Sequence, residues 1–273
     1  MKRGMTACRS AGVVSPIPTL IATGTNPSMS HRTSVRLRAA LITAALGSAS
    51  AAQAYEFNAL DQLASQAEFR QLSEDLSATL AFKPQAPAEG LGLTGFDLGV
   101  SLGGTSVKSH KIVERATGSD NVPSTLPTVT LRAEKGLPFG VDVGAAYTVI
   151  PGTSVRAVSG NVKWAFIEGG VLTPAVAVRG FYTQTSGLGD MSLRSQGVDL
   201  SVSKGFANVT PYGGVGLVQS RASDDTGRWA RERYTQTRLF AGVNVSLLLV
   251  NLAFEADRTG DATSASIRAG LRF

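Results

Sequence analysis

The stretch Ala265-Ser266-Ile267-Arg268-Ala269-Gly270-Leu271-Arg272-Phe273 alternates strictly between apolar and polar residues. Successive side chains of a β-strand point to opposite faces, so the odd-numbered residues form an apolar face and the even-numbered ones a polar face. A strand that crosses a bilayer between lipid and a polar barrel interior has this pattern. A soluble edge strand can have it too, so the rest of the sequence has to decide between the two.

Residues 29–54 have the three parts of an export signal. Arg32, Arg36 and Arg38 come first, an apolar run over 39–52 follows, and Ala52-Gln53-Ala54 forms a small-residue cleavage site. The apolar run is shorter than the roughly 20 residues that a membrane-spanning helix requires. We therefore expect cleavage before Tyr55. Together with the amphipathic strand, the signal predicts a protein of the bacterial outer membrane.

Residues 1–28 precede the signal, and we interpret them as an over-extended start or a disordered extension. Residues 1–54 carry six of the 26 basic residues and none of the 20 acidic ones, so the expected mature chain has 20 of each. The high calculated pI therefore belongs mainly to the targeting segment, and nucleic-acid binding is not predicted. Cys8 lies in the same segment, so the mature protein is expected to have no disulfide and no lipid anchor.

Residues 55–94 are predicted to form a helical segment and a linker. The apolar residues of 57–82 do not form one stripe, so we expect a break between a turn at 58–64 and a helix at 66–81. Ser65-Gln66-Ala67-Glu68 has the spacing of a capping box that starts the second helix. Prolines and Gly90 then end helix formation. The pattern leaves two positions open for this segment, the periplasm and the barrel lumen.

Residues 95–273 consist of short alternating runs separated by turn residues, with no helical period long enough to interrupt them. We predict an all-β fold, an antiparallel up-and-down transmembrane barrel of about ten strands, with eight or twelve as alternatives. The predicted strands lie near 95–106, 127–134, 140–150, 155–166, 173–184, 192–203, 208–220, 233–247, 250–257 and 262–273. Three of the five alternate connections are longer than those at the other end and two are short, which resembles barrels with short periplasmic turns and longer external loops. Both ends of the mature chain are then expected in the periplasm.

These alternating strands, the run Thr210-Pro211-Tyr212-Gly213-Gly214-Val215-Gly216 and the terminal Phe273 resemble Gram-negative outer-membrane β-barrel proteins. Residues 69–76 and 91–97 resemble a proteobacterial group of such barrels that have an N-terminal helical segment. The resemblance implies location and architecture but no activity. It also implies that Phe273 is an assembly signal read by the barrel-assembly machinery, and that outer-membrane lipid and lipopolysaccharide surround the protein.

Charged residues of the inward-facing parity form the main candidate site. They comprise six acids and six bases: Asp97, Arg132, Glu134, Asp142, Lys163, Arg179, Asp199, Arg238, Glu255, Asp257, Arg268 and Arg272. A desolvated charge is costly unless it is paired, so equal numbers predict a lumen charge network. The predicted function is a structural barrel or a narrow polar channel that uses the same residues.

Signals for catalysis are weak. His110 is the one histidine of the expected mature chain, and Asp224-Asp225 is an adjacent carboxylate pair, each in a predicted external loop. A surface-acting hydrolase, a protease or lipid hydrolase with His110 as general base, is the alternative function. No metal-ligand spacing is present, and no cofactor is expected. Trp229, with Arg228 and Arg231, could contact lipopolysaccharide, although an ordinary exposed loop is the simpler interpretation.

Overall fold

The computed structural model describes residues 59–118, 123–170 and 172–273. The predicted export signal, residues 1–28 and the predicted cleavage site before Tyr55 lie outside these residues. Within them, no helix is both long and apolar enough to cross a membrane.

Ten antiparallel strands close into a barrel in which each strand pairs with its neighbours in sequence and β1 pairs with β10. The predicted all-β, ten-stranded barrel is therefore confirmed. The strands are β1 (Phe96–Ser106), β2 (Thr125–Gly136), β3 (Val141–Val149), β4 (Arg156–Glu168), β5 (Ala175–Ser186), β6 (Met191–Ser203), β7 (Val209–Asp224), β8 (Glu232–Leu247), β9 (Val250–Thr259) and β10 (Ala262–Arg272).

Side chains alternate along the strands between the outer surface and the lumen, as the sequence pattern predicts, apart from an irregularity in β4 between Ala165 and Ile167. In β10, Ile267 and Leu271 are exposed on the outer surface, whereas Ser264 and Arg268 are buried inside. The predicted change of phase after Leu247 is present as well: Leu247 pairs with Val250 across a two-residue turn, and Leu248 has a φ of +57°. The turn is tight although it contains neither glycine nor proline.

The two ends of the barrel differ in their connections. One end, here the long-loop end, carries residues 107–118, 123–124, 150–155, 187–190, 225–231 and 260–261. The other, the short-turn end, carries residues 137–140, 169–174, 204–208 and 248–249. Phe273 lies at the short-turn end, where its backbone amide donates to the Phe96 carbonyl at 3.1 Å and its ring centroid is 5.8 Å from that of Phe96.

The N-terminal segment forms a 3-10 turn at Leu60–Gln62 and helix α1 at Gln66–Leu80. The predicted break and start of the helix are thus present. Ser65 is the N-cap and accepts from the Glu68 amide, while the Glu68 carboxylate accepts from the amide of Ala64 rather than from that of Ser65. This hydrogen bond and Arg115 hold the pKa of Glu68 below its ordinary value.

A second helix, α2 (His110–Thr117), lies in the connection between β1 and β2. The sequence analysis expected no helix there, and that expectation is wrong. Eight residues are too few to show a convincing helical period, and α2 depends on burying Ile112, Val113 and Ala116 against the N-terminal segment. Tertiary packing, rather than local propensity, stabilises a helix this short.

Residue 59 and Phe273 lie at opposite ends of the barrel. The Ala59 amide donates to the Ala116 carbonyl of α2 at 3.0 Å, which places it at the long-loop end. The segment before β1 runs through the lumen and so adds one passage to the ten strands. The expected mature N-terminus, Tyr55, lies outside the described residues, so the expectation that both ends of the mature chain lie in the periplasm stays a prediction.

Luminal aromatic rings lie directly over glycines of the neighbouring strand. A Cβ added at Gly214 would come within 2.5 Å of Cζ of Phe240, and one added at Gly197 would come equally close to Cζ of Phe181. Gly180 is different, since an added Cβ there would meet no atom within 4 Å. Gly214 of β7 and Gly197 of β6 therefore leave room for these two rings.

We predict that Gly214→Ala lowers the free energy of unfolding by about 1–3 kcal/mol, the usual cost of overpacking. Gly180→Ala is the matched control, and its change is expected to be neutral or slightly stabilising because a strand glycine is replaced in open space. Urea unfolding of the refolded protein in lipid vesicles measures both. Equal losses in the two variants would contradict the ring-over-glycine packing.

Candidate functional site: the filled lumen

Residues 66–91, here called the luminal segment, pass through the barrel. The first part is α1, in which Phe69, Leu72 and Leu76 are fully buried. These side chains share one apolar cluster with residues of the long-loop end, among them Ile112, Ile150, Val155, Leu188 and Leu193. The sequence left two positions open for this helix, the periplasm and the lumen. In the structure the helix lies in the lumen.

Polar contacts join α1 to the barrel wall and to the loop above it. The Ser77 hydroxyl donates to the Gln236 side chain at 2.8 Å, and the buried Asp75 carboxylate accepts from the Ser109 amide at 2.9 Å. Ser109 is the N-cap of α2, so this bond ties the two helices together. The helix is thus fixed by apolar packing at one end of the lumen and by polar contacts along its length.

After α1 the luminal segment becomes extended, and its carbonyl groups accept hydrogen bonds from buried cations of the barrel wall. Five wall cations take part, drawn from β2, β4, β5, β8 and β10. The pairs are Arg238 with the carbonyl of Phe82 (2.7 Å), Arg132 and Arg179 with that of Pro84 (2.8 and 3.4 Å), Arg268 with that of Gln85 (3.1 Å), and Lys163 with that of Glu89 (2.6 Å). The cations therefore satisfy backbone groups that have no β-ladder partner.

The amides of the same stretch donate to side chains of the wall. The pairs are Phe82 with the Thr183 hydroxyl (3.2 Å), Gln85 with Glu255 (2.7 Å), Ala88 with the Ser203 hydroxyl (3.1 Å) and Leu91 with Asp142 (3.0 Å). Pro84 and Pro87 have no amide hydrogen to satisfy, which removes two donors from a buried extended segment. The sequence analysis treated these prolines only as ends of a helix.

Phe82 is the aromatic contact of the luminal segment. The guanidinium carbons of Arg132 and Arg179 lie 4.9 and 5.3 Å from its ring centroid, and the Phe181 ring lies 5.8 Å away. Cation–π attraction and apolar burial therefore add to the hydrogen bonds at this point. Nothing in the sequence pattern singled out Phe82, because it falls at the boundary between a helix and a linker.

Eleven of the twelve charged residues predicted to face the lumen are buried around this segment. Glu134 pairs with both Arg132 (2.9 Å) and Arg179 (3.1 Å), Asp142 pairs with Lys163 (2.8 Å), and Asp199 pairs with Arg238 (3.4 Å). Asp97 pairs with Arg268. The Glu134–Arg179 pair joins β2 to β5, which are not adjacent, so it spans the interior.

Two members of the predicted network differ from the expectation. Arg272, at the last position of β10, is only partly buried, because it lies at the rim of the short-turn end. The sixth interior cation is Lys83 of the luminal segment, which is partly buried and pairs with Asp257 at 2.7 Å. Glu255 forms no ion pair among the described residues and accepts the Gln85 amide instead. The charge balance of the interior thus includes the segment itself.

The space left beside the luminal segment is small. A cavity of about 20 Å³ lies between Phe82, Lys83 and the inner faces of β1, β2 and β10. That volume holds about one water molecule. A larger cleft of about 340 Å³ lies at the long-loop end beside α1, lined by paired charges such as Arg70, Glu74, Lys108 and Asp261.

The candidate catalytic residues are not assembled into a site. His110 is the first residue of α2, and among the described residues no hydrogen bond or ion pair joins it to Asp224 or Asp225. The Asp224 carboxylate accepts from the Thr226 hydroxyl and from three backbone amides of its own loop, so it holds the loop conformation. No group of three potential metal ligands occurs in the part of the chain that the structure describes.

Trp229 makes a contact within the protein. Its indole N–H donates to the Leu60 carbonyl at 2.9 Å, and its ring packs against the apolar cluster of the long-loop end. Gln66 holds the same loop in place, because its side-chain amide donates to the Ala230 carbonyl and accepts from the Ala230 backbone amide. The loop 225–231 therefore closes over the start of the luminal segment.

No known protein family and no curated protein matches this sequence. Solved structures with similarity to it are outer-membrane β-barrel proteins. The KdgM porin has 5% identity and a TM-score of 0.36, with 65% of this chain and 99% of that chain covered. Ail of Yersinia pestis has 11% identity and a TM-score of 0.27, with 66% of this chain and 97% of that chain covered. Neisserial surface protein A has 15% identity and a TM-score of 0.28, with 65% of this chain and 94% of that chain covered. With values this low, none of the three carries an argument about activity.

Glu134 forms ion pairs with two buried arginines, Arg132 and Arg179, so Glu134→Ala is predicted to lower the free energy of unfolding strongly. Removing one partner of a buried pair costs about 3–5 kcal/mol. The control is Glu74→Ala, which breaks a pair with Arg70 at the mouth, where both side chains are partly exposed, and is expected to cost about 0–1 kcal/mol. Denaturant unfolding compares them. Similar small losses in both would indicate a hydrated interior.

Proposed function

We propose that the protein is an integral outer-membrane β-barrel that is closed by its own N-terminal segment and does not act as a diffusion pore. The observation that supports this most directly is the filled lumen, in which wall cations donate to the backbone of residues 82–89. An open polar channel would leave these cations in contact with water. We therefore favour a structural barrel over the narrow channel that the sequence also allowed.

The outer surface supports a membrane location. Between the two ends of the barrel the exposed side chains are apolar, for example Leu98, Val162, Leu200 and Leu239. Exposed aromatic residues flank this band, as in the aromatic girdles of outer-membrane barrels. At the short-turn end they are Phe96, Trp164, Phe166, Phe206 and Phe273, and toward the long-loop end they are Tyr147 and Tyr182.

The direction of the luminal segment gives the proposal its topology. Longer loops face outward in outer-membrane barrels, so the long-loop end is assigned to the cell surface and the short-turn end, with Phe273, to the periplasm. Residue 59 is then at the cell surface. The exposed Phe273 on the terminal strand remains the proposed signal for the barrel-assembly machinery.

We propose no catalytic role. The loop contacts of Asp224 and the separate position of His110 in α2 favour structural roles for both. Purified protein is expected to show no peptide- or lipid-cleaving activity, in fluorogenic peptide and lipid assays. Reproducible hydrolysis that His110→Ala abolishes would instead support the hydrolase.

A closed lumen predicts that the refolded protein gives no steady current in planar lipid bilayers. Phe82→Ala removes the ring between Arg132 and Arg179 and is expected to produce intermittent openings. Phe206→Ala, which removes an exposed phenylalanine from the outer surface, is the matched control and should stay silent. A steady unitary conductance of the unaltered protein would overturn the closed-barrel proposal and favour the channel.

The topology is tested by labelling single-cysteine variants in intact cells with a membrane-impermeant maleimide. Asp61→Cys, in the 3-10 turn that precedes the luminal segment, and Arg228→Cys, in the loop 225–231, are both expected to react. Leu172→Cys, in a short turn, should react only after lysis. If Arg228→Cys reacts in intact cells and Asp61→Cys does not, the path of the segment through the lumen would be contradicted. If Leu172→Cys reacts in intact cells and Arg228→Cys reacts only after lysis, the orientation of the barrel in the membrane would be contradicted.

A further inference from the structure

Three arginines stand side by side on the outer surface of the barrel near the long-loop end. Arg194 of β6 pairs in register with Arg221 of β7, and Arg221 pairs with Arg233 of β8. All three side chains are exposed and have the outward parity. Neighbouring strands lie about 4.8 Å apart, so three guanidinium groups occupy one short row, here called the arginine row.

Within the described part of the barrel, the arginine row has no neutralising partner. Among the described residues none of the three forms an ion pair, and the side-chain hydrogen bond of the row runs from Arg233 to the amide oxygen of Gln219 at 3.3 Å. Asp225, four residues beyond Arg221 in the adjoining loop, accepts instead from Ser192. The donors of Arg194 and Arg221 therefore point to the surroundings of the protein.

Like charges directly opposite each other on neighbouring strands are destabilising. The chain nevertheless carries two such pairs in succession, although the lumen of the same barrel pairs nearly every charge it holds. An anion from outside the protein would remove the repulsion. Arginine suits this role, because its planar guanidinium can bind a phosphate through two parallel hydrogen bonds.

The position of the row identifies the kind of anion. The adjacent register positions toward the barrel middle are Tyr182, Gln196, Gln219 and Thr235, and the apolar band follows at Val198 and Leu217. Tyrosines of this type mark the membrane interface. The row therefore lies at the level of lipid headgroups. A cleft of about 80 Å³ between Arg194, Arg221, Gln196 and Tyr182 opens beside it.

We propose that the arginine row is a binding site for the phosphate groups of lipopolysaccharide in the outer leaflet. The inference rests on the proposed outer-membrane location, which assigns the long-loop end to the cell surface. Gln196 donates to Gln219 at 3.1 Å, and this pair forms the floor of the site below the guanidinium groups. The lipid would pack its acyl chains against the apolar band and its phosphates against the row.

The test measures binding of fluorescent lipid A, with both phosphates, to the refolded protein in detergent. The variant Arg194→Gln, Arg221→Gln, Arg233→Gln is expected to bind at least about tenfold more weakly, since loss of one charge-assisted hydrogen bond already corresponds to roughly that factor. The control Arg156→Gln, Arg228→Gln, Arg231→Gln removes the same number of exposed arginines from the same end of the barrel and should bind nearly as well as the unaltered protein.

Further arms identify the ligand. Dephosphorylated lipid A and phosphatidylglycerol should each bind more weakly than lipid A, and inorganic phosphate should compete poorly because it lacks acyl chains. Equal loss in both triple variants would reduce the site to general charge attraction and overturn the proposal. So would unchanged binding in the row variant, or a preference for either comparison lipid or for free phosphate.

Folding and conductance separate this proposal from the one it rests on. Both triple variants should keep the heat-modifiable gel mobility of the folded barrel and should remain silent in bilayers, because the row lies outside the lumen. A folded, silent barrel that does not prefer lipid A would contradict the arginine row alone. A barrel that conducts, or one that does not insert into membranes, would contradict the closed outer-membrane barrel.

Discussion

The structure depends on one constraint: an extended segment without a β-ladder partner is buried among charged side chains. Backbone groups removed from water need hydrogen-bond partners, and buried charges need counter-charges or polar contacts. Residues 81–91 and the barrel wall meet both needs together. Wall cations donate to carbonyls of the segment, and hydroxyls and carboxylates of the wall accept its amides. Neither the charges nor the segment would be well satisfied alone.

This arrangement couples the segment to the closed form of the barrel. The cations come from β2, β4, β5, β8 and β10, which lie around the whole circumference. All five contacts can therefore form only when β1 has paired with β10. At the long-loop end, α2 and the loop 225–231 cover the start of the segment through the Ala59–Ala116 and Leu60–Trp229 hydrogen bonds. The longer loops thus serve as a lid, in which Trp229 and Asp224 have structural roles.

The sequence predicted the strands of the barrel wall far better than the path of the luminal segment inside it. Alternation with a period of two identified the strands and their inward-facing charges, because a transmembrane strand repeats one simple pattern over its whole length. It also predicted the break before α1 and the cap at Ser65. It did not predict α2, which depends on packing, or the path of residues 81–91, whose partners are distant in sequence. The roles of Phe82 and Lys83 were therefore not predicted. Arg272 was expected in the lumen but lies at the rim, because the parity of a strand position does not show where the strand leaves the interior.

Hydrogen exchange of the segment amides tests the central claim most directly. In the refolded protein in lipid vesicles, the amides of Phe82, Gln85, Ala88 and Leu91 should exchange as slowly as amides of the barrel strands, because each donates to a side chain of the wall. Slow exchange reports amides that open only with larger unfolding events. Exchange at the rate of an unstructured peptide, while the strands stay protected, would show that the segment is not held in the lumen and would contradict this account.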